Sequence, residues 1–372
     1  RTRNWLVGDY LDRYPSRSAL LQWRPIGPTP PAFPLTRSLE PMVIRSGLRA
    51  RFSRRSVDGA RVRVLVREFA DRLDDRLTNQ QVDAISSTAI YAAATAQHQQ
   101  EAFARVLDAV DPRLVVMEDA SYGTRGALIS TMKARGILVV EPQHGWIGPT
   151  HAAYNFGSAM SAPELSVTLP DELLTFGEYW SEGIRHPAPS TAIGKPHLET
   201  MATLAPRWSD RPREVLMVSS VTDPEAMTEF ALALRRELPT DWLLRFRPHP
   251  SERPVVQNVY ASMLAVPGIA LDEVSDVYES LARARGIVGI ASTVLFEALA
   301  MGCRVFVLDS AFADYYVGEL FGPTVSGASG AGGVARRLIE SAPAQNTVSR
   351  DAIWKPGAVD NFARWAEARF GW

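Results

Sequence analysis

Two histidines lie close together at what reads as the end of a buried strand. In the stretch VVEPQHGWIGPTHAAY, His144 and His151 are seven positions apart, although the chain of 372 residues has only 6 histidines. Gly145, directly after His144, allows a sharp turn of the backbone. Imidazole takes up a proton near neutral pH, so His144 is a candidate general base. The competing interpretation is a buried histidine that is hydrogen-bonded to a backbone carbonyl.

The neighbours of His144 are weaker candidates. We expect Gln143, His151 and Tyr154 to orient the loop or to contact an acceptor. A metal site built on His144 and His151 would need further ligands at suitable spacing. None follows nearby in the sequence, so we predict a site without a metal ion.

An acidic pair supplies a second candidate base. Glu118 and Asp119 close the apolar run of VMEDASYG, one predicted strand before His144. Either carboxylate could take the proton from a hydroxyl, or could instead hold the imidazole of His144 in one tautomer. The sequence alone leaves the order of these roles open.

A guanidinium and an imidazole follow a strand in the second half of the chain. In LLRFRPHPSERP, Arg247 precedes His249, and a proline on each side of the histidine restricts the backbone there. Arginine is permanently charged and directs two N–H groups at two oxygens, which suits a phosphate or diphosphate. The competing interpretation is a surface turn with charged flanks.

Two hydroxyl residues stand between another apolar strand and a helix. In GIVGIASTVLFEALAMG, Ser292 and Thr293 come at the predicted helix start, where free N–H groups and the helix dipole favour an anion. Glu297 follows about one turn later and is a candidate acceptor for a hydroxyl of ribose or sugar. The competing interpretation is an ordinary N-cap with a capping-type glutamate.

Apolar strands alternate with amphipathic helices in both halves of the chain, which predicts an α/β fold with doubly wound parallel sheets. A connector rich in proline and charge, residues 204–214, separates the two halves. We therefore predict two Rossmann-like domains that face a central cleft, with ligands at the carboxyl ends of the strands. The predicted boundaries are 1–204 for an N-terminal acceptor-side domain, 205–350 for a C-terminal domain that binds the phosphate-bearing ligand, and 351–372 for a helix that closes the second domain or crosses back to the first.

Composition narrows the functional class. Hydrophobic residues are 46% and charged residues 22%, and a net charge of -1 gives no general attraction to nucleic acid, which we do not expect as a partner. Cys303 is the single cysteine, so an internal disulfide is excluded, as is usual in a reducing cytoplasm. The longest apolar stretch, residues 286–296, is too short to span a bilayer. We expect a cytoplasmic protein.

One segment is strongly basic. From Arg45 to Glu68 the only acids are Asp58 and Glu68 itself. The arginines of this segment are at positions 45, 49, 51, 54, 55, 61, 63 and 67. The first interpretation is a solvated face plus an amphipathic strand, and the second is a patch that contacts an anion or the inner face of a membrane. The Arg45–Arg67 region is therefore the candidate for peripheral membrane contact.

Five motifs, taken in order, resemble the GT-B fold glycosyltransferases that build bacterial surface polysaccharides. They are EPQHGWIGPTHAAYNFG, LPDELLTFGEYW, IGKPHLE, RFRPHPSER and ASTVLFEALAMGCRVFVLD. The relatives meant are capsule and lipooligosaccharide enzymes, polysialyltransferase-like proteins and the CDP-glycerol glycerophosphotransferases of teichoic acid synthesis. The resemblance covers about residues 114–309.

The resemblance implies a donor phosphate site in the second domain. In that group a histidine-proline pair contacts the donor phosphate, and this pair corresponds to His249 and Pro250. A serine or threonine at a helix start does the same, which corresponds to Ser292 and Thr293.

The resemblance leaves two candidates for the base. The polysialyltransferase-like members use an acidic pair, which corresponds to Glu118 and Asp119, but the glycine expected directly afterwards is replaced by Ala120. In the teichoic acid relatives the proposed base is the histidine of a His-Gly pair, here His144 and Gly145.

Together these observations predict a metal-independent, inverting glycosyltransferase. A nucleotide-sugar donor is expected as co-substrate, with no other cofactor, and the acceptor is expected to be a hydroxyl of a surface polysaccharide, a glycan or a lipid-linked glycan. The alternatives are a non-hydrolysing UDP-sugar 2-epimerase, a CDP-glycerol-type glycerophosphotransferase, and a non-catalytic module that binds a nucleotide or a glycan. The predicted donor contacts are Arg247, His249, Ser292, Thr293 and Glu297, and the predicted bases are His144, Glu118 and Asp119.

Overall fold

Two parallel sheets, with helices between their strands, organise the chain. This computed structural model describes residues 4–27, 29, 31–53, 57–72, 77–340 and 348–372. Strands alternate with helices in both halves, and adjacent strands run parallel. The predicted α/β class with parallel sheets is therefore confirmed.

The strands form a small pair and two larger sheets. They are β1 Leu20–Gln22, β2 Thr36–Ser38, β3 Leu114–Val116, β4 Leu138–Pro142, β5 Glu172–Thr175, β6 Ser190–Ala192, β7 Glu214–Val218, β8 Leu243–Arg247, β9 Ile269–Leu271, β10 Gly286–Gly289 and β11 Arg304–Val307. β1 pairs with β2, a four-stranded sheet has the order β3-β4-β5-β6, and a five-stranded sheet has the order β11-β10-β7-β8-β9.

The α-helices differ widely in length. They are α1 Gly8–Arg13, α2 Glu40–Ser53, α3 Gly59–Arg72, α4 Asn79–Val110, α5 Gly126–Lys133, α6 Pro163–Ser166, α7 Pro196–Leu204, α8 Pro224–Glu237, α9 Val256–Val259, α10 Ala261–Leu264, α11 Val277–Arg283, α12 Thr293–Ala300, α13 Ala311–Tyr316, α14 Ala331–Ile339, α15 Arg350–Ile353 and α16 Ala358–Phe370. Short 3-10 turns include Ala120–Tyr122 and Ala152–Tyr154. Among the described residues, no helix is both long and apolar enough to cross a membrane.

The backbone divides into two compact units that are interleaved along the sequence. Unit 1 comprises Arg1–His144, Phe156–Leu174 and Arg185–Ser190, and unit 2 comprises Gly145–Asn155, Thr175–Ile184 and Thr191–Trp372. Unit 2 therefore includes segments from before residue 204. The predicted domain boundaries, and the cleft between the domains, stay predictions.

In unit 1, α4 and α5 pack with β4 to form the core. A capping box starts α4: the Thr78 hydroxyl accepts from the Gln81 N–H (3.3 Å), and the Gln81 side chain accepts from the Thr78 N–H (2.8 Å). The helix ends at Val110, next to the Asp111-Pro112 pair that predicts its end. The buried side chains of this core include Phe103, Leu107, Leu128, Ile129, Met132 and Val139.

In unit 2 the last helix packs against α7. The Glu199 carboxylate of α7 accepts hydrogen bonds from the N–H groups of Gly357 (2.8 Å) and Ala358 (3.0 Å), so it supplies acceptors for donors at the start of α16. Phe362 and Trp365 of α16 are buried. The terminal helix thus lies within unit 2.

The basic segment is helical, so the predicted amphipathic strand is wrong. Its described arginines lie in α2 and α3, which both pack on α4. A short apolar pattern does not distinguish strand from helix, and the long neighbouring helix decides the outcome. Arg54 and Arg55 lie outside the described residues.

Gly177 allows a second segment of unit 2 to pass over it without a side chain between them. A Cβ at this position would clash with the carbonyl oxygens of Ala352 and Ile353. The close approach places two indole hydrogen bonds: Trp180 Nε1 donates to Ile353 O (2.7 Å), and Trp354 Nε1 donates to Phe296 O (2.8 Å). The segment of residues 349–358 therefore contributes Ile353 and Trp354 to the core of unit 2.

We expect Gly177→Ala to lower the free energy of unfolding by about 1–3 kcal/mol, because the methyl group must displace backbone atoms. Gly157→Ala is the matched control, since a Cβ there meets nothing within 4 Å. Urea denaturation of both variants measures the difference. Equal stability of the two variants would contradict the close approach at Gly177.

Candidate active site

Asp119 and His144 come together at the carboxyl ends of β3 and β4. The Asp119 Oδ1 atom lies 3.3 Å from His144 Nε2, with side-chain exposures of 43% and 24% respectively. The Tyr122 hydroxyl is 3.5 Å from the same nitrogen, which is a weak contact. Parallel neighbours end at the same sheet edge, so the two candidates share one site in unit 1.

The pairing with Asp119 indicates which tautomer the neutral His144 ring adopts. When Asp119 accepts from Nε2–H, the lone pair of the neutral ring is on Nδ1. Nδ1 is shielded from solvent, and no hydrogen-bond partner for it is found among the described residues. A carboxylate on Nε2 would also stabilise the imidazolium that forms after proton uptake.

Glu118 occupies a different position from Asp119. Glu118 is exposed. Asp119 precedes the 3-10 turn Ala120–Tyr122 and has a left-handed backbone conformation (φ 59°). Both acids act on Arg125: burial lowers the pKa of this guanidinium, and the charges of Asp119 and Glu118 oppose that shift. Arg125 also lies over the Trp23 ring, 4.0 Å from its centroid.

A buried network fixes the turn that carries Asp119 and Tyr122. The Ser121 N–H donates to Glu141 Oε2 (2.9 Å), and the Ser121 hydroxyl donates to the same oxygen. His186 Nε2 lies 3.0 Å from the Ser121 hydroxyl oxygen. Because the Ala188 N–H donates to Nδ1 (3.0 Å), neutral His186 has its proton on Nε2 and donates it to Ser121.

Sequence reasoning missed Ser121, Glu141 and His186. The available signal was the acid in VVEPQHG, since a carboxylate inside an apolar run needs buried donors. Glu141 and Ser121 are each 1% exposed. Burial lowers the pKa of His186 to about 4.

Two of the remaining candidates, His151 and Tyr154, lie in a loop of unit 2, residues 145–155, whereas Gln143 lies in unit 1. His151 Nδ1 accepts from the Ala153 N–H (3.2 Å), and its ring lies near those of Trp146 (5.4 Å) and Tyr154 (5.0 Å). Tyr154 is 1% exposed, so its position suits loop orientation better than contact with an acceptor. Gln143 is also buried, and its N–H extends the sheet by donating to Leu174 O (2.8 Å).

The loop of unit 2 that contains His151 is hydrogen-bonded to α13. Trp146 Nε1 donates to Tyr316 O (2.9 Å), and the Tyr315 hydroxyl donates to Thr150 O (2.7 Å). The Trp146 and Tyr316 rings are 4.4 Å apart. This attachment had no local signal in the sequence, because about 165 residues separate the partners.

The strand order of unit 2 indicates at which edge of its sheet a ligand is expected to bind, and we call this edge the ligand edge. The chain adds β8 and β9 on one side of β7, and β10 and β11 on the other. Ligands of open α/β sheets bind outside the carboxyl ends of the strands at this reversal, here at β7 and β10. Ser292 ends the loop after β10 and Thr293 begins α12, so the residues predicted for an anion site lie at this edge, and the loop after β7 is residues 219–223.

Ser292 is the N-cap of α12. Its hydroxyl oxygen accepts from the Val294 N–H (3.3 Å), so the competing N-cap interpretation holds for this side chain. Thr293 is partly exposed at the first position of the helix. The anion site at this helix start stays a prediction.

The loop after β7 is strained. Val221 has φ 68° and Asp223 has φ 48°, and a β-branched residue rarely adopts this left-handed conformation. The Val221 N–H donates to the Ser219 hydroxyl (3.2 Å), and the hydroxyls of Ser220 and Thr222 are 3.0 Å apart. Sequence reasoning missed these three hydroxyl residues at the ligand edge.

His249 presents one defined nitrogen to solvent. Its Nδ1 accepts from the Ser251 N–H (3.3 Å) and lies 2.7 Å from the Ser251 hydroxyl, so the neutral ring has its proton on Nε2. The Glu252 carboxylate accepts from the His249 N–H (2.9 Å) and from the Tyr260 hydroxyl (2.7 Å). Burial and the neighbouring Glu252 raise the pKa of Tyr260 to about 12, although Ser219 opposes the shift. His249 is thus an exposed N–H donor, as a phosphate contact requires.

Arg247 is engaged within unit 2. Its Nη1 donates to Asp272 Oδ2 (2.6 Å), Val274 O (2.9 Å) and Ser280 Oγ (3.3 Å), and its Nη2 donates to Ser275 O (3.0 Å). These acceptors leave Nε and one Nη2 hydrogen for a ligand. The geometry therefore favours a structural role over the predicted phosphate contact.

Glu297 forms a buried ion pair with Lys195, and the Tyr278 hydroxyl donates to the same oxygen, Oε1 (3.2 Å). Burial, followed by the charge of Glu297, raises the pKa of Tyr278. The Lys195 ammonium also lies 5.1 Å from the centroid of the Phe176 ring. The predicted contact with a ribose or sugar hydroxyl therefore has to use Oε2.

Comparison with solved structures identifies the fold type. A UDP-N-acetylglucosamine 2-epimerase from Listeria monocytogenes, described as putative, is similar over 75% of this chain and 79% of its own, with a TM-score of 0.50 and 15% identity. A UDP-GlcNAc 2-epimerase from Methanocaldococcus jannaschii is similar over 74% and 82%, with a TM-score of 0.52 and 14% identity. A glycosyltransferase from Rickettsia africae gives a TM-score of 0.43 at 14% identity over 73% and 76%, which is too low to support an argument.

These likenesses show the fold alone. The chain has the α/β, Rossmann-like architecture of GT-B type proteins, as predicted. No family model matches the chain, and no curated protein matches it in sequence. A shared fold does not assign a reaction, which depends on the side chains of the site.

We expect Val221→Asn to raise the free energy of unfolding by about 0.5–1 kcal/mol, because asparagine tolerates the left-handed conformation. Val221→Ile is the matched control and should give no gain, since it keeps the branched Cβ. Thermal denaturation measures both variants. An equal effect of the two substitutions would argue against strain at this position.

We expect the neutral, partly buried His186 to make stability depend on pH. Its pKa is about 4 in the folded chain against 6.5 in the unfolded chain, so the unfolded state binds more protons between these values. The contribution is complete above pH 6.5 and falls as pH drops towards 4, by at most about 1.4 kcal/mol per pH unit. Urea denaturation from pH 4 to 7 should show a shallower pH dependence for His186→Gln. Parallel curves for variant and wild type would contradict this assignment.

Proposed function

We propose that this chain is a nucleotide-sugar-dependent glycosyltransferase that uses His144, paired with Asp119, to remove a proton from an acceptor hydroxyl. The observation that carries the proposal is the 3.3 Å contact between Asp119 Oδ1 and His144 Nε2 at the edge of a parallel sheet. The contact gives the two sequence candidates complementary roles. His144 is the base, and Asp119 orients the ring and stabilises its charged form.

The donor side of the proposal rests on unit 2. The reversal of strand order at β7 and β10 supports a ligand edge there. The exposed His249 Nε2–H and the start of α12 offer donors for phosphate oxygens. Arg247 contributes less directly, because its Nη1 holds Asp272 and the following loop.

The reaction then follows from these groups. His144 takes the proton of the acceptor hydroxyl, whose oxygen attacks the anomeric carbon, and the nucleotide leaves with the bonding electrons. Donors at His249 and the α12 start meet the charge that develops on the leaving phosphate. The acceptor is a glycan or a lipid-linked glycan of the bacterial surface, by the resemblance of the sequence motifs. Attack opposite the leaving group inverts the anomeric centre, and no metal ion is required.

A second candidate is a UDP-sugar 2-epimerase. Its support is that both solved structures with TM-scores of 0.50 and 0.52 bear this name. The comparisons therefore favour this candidate over glycosyl transfer, while the order of the motifs favours transfer. Both reactions use a nucleotide-sugar, and only transfer requires an acceptor.

We expect incubation with UDP-, CDP-, GDP- and CMP-sugars to distinguish the candidates. Transfer predicts nucleotide release that depends on an added oligosaccharide or lipid-linked acceptor, measured by chromatography. Nucleotide-sugar altered at C2 in the absence of acceptor, seen by NMR, would replace the transfer proposal with epimerisation. CDP-glycerol belongs in the panel to detect glycerophosphate transfer, and binding of a nucleotide without any turnover would indicate a non-catalytic module.

We expect His144→Asn to lower kcat by about 10²- to 10⁴-fold, the usual contribution of a positioned general base. Asp119→Asn should also lower kcat and change the pH profile, because the ring loses its charged partner. The KM for the donor should change little in both variants.

His98→Asn is the matched control for these measurements. His98 is a partly buried histidine of unit 1 that contacts the Ser53 hydroxyl (2.7 Å), away from the sheet edge. Loss of activity in this control equal to that in His144→Asn would remove the evidence for a specific role. Full activity of His144→Asn would exclude this residue as the base.

A further inference from the structure

Helix α2 exposes a stripe of large apolar side chains. Ile44 is 54% exposed, Leu48 50% and Phe52 88%. Their spacing of four residues places them on one face of the helix. We call these three residues the α2 stripe. Isolated exposed apolar residues are common, but three aligned on one helix face require an explanation.

The orientation of α2 is set by its opposite face. Ser46 and Ala50, which point away from the α2 stripe on a helix of 3.6 residues per turn, are buried. The Tyr91 hydroxyl of α4 donates to Gly47 O (3.3 Å), and Ser53 contacts His98 of α4 (2.7 Å). These contacts hold the α2 stripe on the outer side.

Arginines border the α2 stripe on both sides. At 100° per residue, Arg51 lies beside one edge of the stripe, while Arg45 and Arg49 lie beside the other. All three residues are exposed. An apolar face with a basic border is the pattern of a helix that lies in the interface of a bilayer.

Helix α3 repeats the pattern. Leu65 is 54% exposed and Phe69 is 65% exposed, and Arg61 and Arg72 lie beside them on the helix surface. On another side of α3, Arg63 pairs with Asp83 of α4 (3.0 Å). Two helices packed on α4 thus each present apolar side chains bordered by arginine.

We propose that α2 and α3 form a surface that binds an anionic lipid bilayer, with the apolar side chains inserted at the interface. The positive charge of the arginines favours an anionic bilayer over a second copy of the chain as the occupant of this surface. A symmetric contact with a second copy would place the α2 stripe and its arginines against the same arginines, which repel each other. Acidic lipid headgroups instead neutralise the arginines while the acyl region accepts Phe52 and its neighbours. The proposal does not depend on the reaction that the chain catalyses.

The test is co-sedimentation of the full chain with vesicles of phosphatidylcholine alone and of phosphatidylcholine with about 30% phosphatidylglycerol. We expect at least tenfold tighter binding to the anionic vesicles, weakening as salt increases because the headgroup attraction is screened. Leu48→Ser with Phe52→Ser should reduce this binding at least tenfold. Arg45→Gln with Arg49→Gln should reduce it similarly and flatten the salt dependence.

The controls are Leu204→Ser and Arg336→Gln, which change an apolar residue of unit 2 that is 73% exposed and an exposed arginine of α14. Both should bind vesicles like the wild type. The substituted side chains are exposed, so an unchanged thermal denaturation midpoint shows that each variant is folded. Equal binding to both kinds of vesicle, no binding, or insensitivity to the α2 substitutions would overturn the proposal. A wild-type dimer in sedimentation velocity that Leu48→Ser with Phe52→Ser converts to monomer would assign the surface to a second copy instead.

Discussion

A carboxylate buried at the end of a strand is the constraint on which the candidate site depends. Glu141 is 1% exposed, so its oxygens need hydrogen-bond donors. The Ser121 N–H and the Ser121 hydroxyl both donate to Glu141 Oε2. Ser121 belongs to the turn between Asp119 and Tyr122, the two residues that lie against His144 Nε2. The hydrogen bonds that the buried Glu141 carboxylate requires therefore fix the position of Asp119 beside His144. The chemistry at the surface of unit 1 depends on a hydrogen bond below it.

Unit 2 uses buried charge in a related way. Lys195 precedes α7 and pairs with Glu297 of α12, while Arg247 at the end of β8 pairs with Asp272 after β9. Arg247 and Asp272 lie at the carboxyl ends of β8 and β9, and Glu297 lies in the helix that follows β10. A buried pair of this kind is costly to break, because one charge is then left without a partner. The pairs therefore hold the loops at the ligand edge while leaving the exposed His249 available to a ligand.

The sequence predicted the alternation of strands and helices because each local pattern agrees with the final fold. It also predicted Asp119 and His144, since polar residues directly after parallel strands must meet at one edge. The roles of Arg247 and Glu297 depended on Asp272 and Lys195, and no local pattern reveals partners 25 and 102 residues away. The helices of the basic segment were missed for the same reason, because packing on α4 decides between two structures that a short apolar run allows. His186 entered the buried network from a segment without any strand or helix signal.

The passage of residues 349–358 over Gly177 has a consequence for the order of folding. Trp354 and Ile353 complete an aromatic core that begins with Phe176 and Trp180, some 173 residues earlier in the chain. All five strands of the second sheet are synthesised before those two residues. During translation the sheet of unit 2 can form, but its aromatic core stays open to water until this late segment arrives. Unit 2 therefore reaches its full stability only after the last of its strands has left the ribosome.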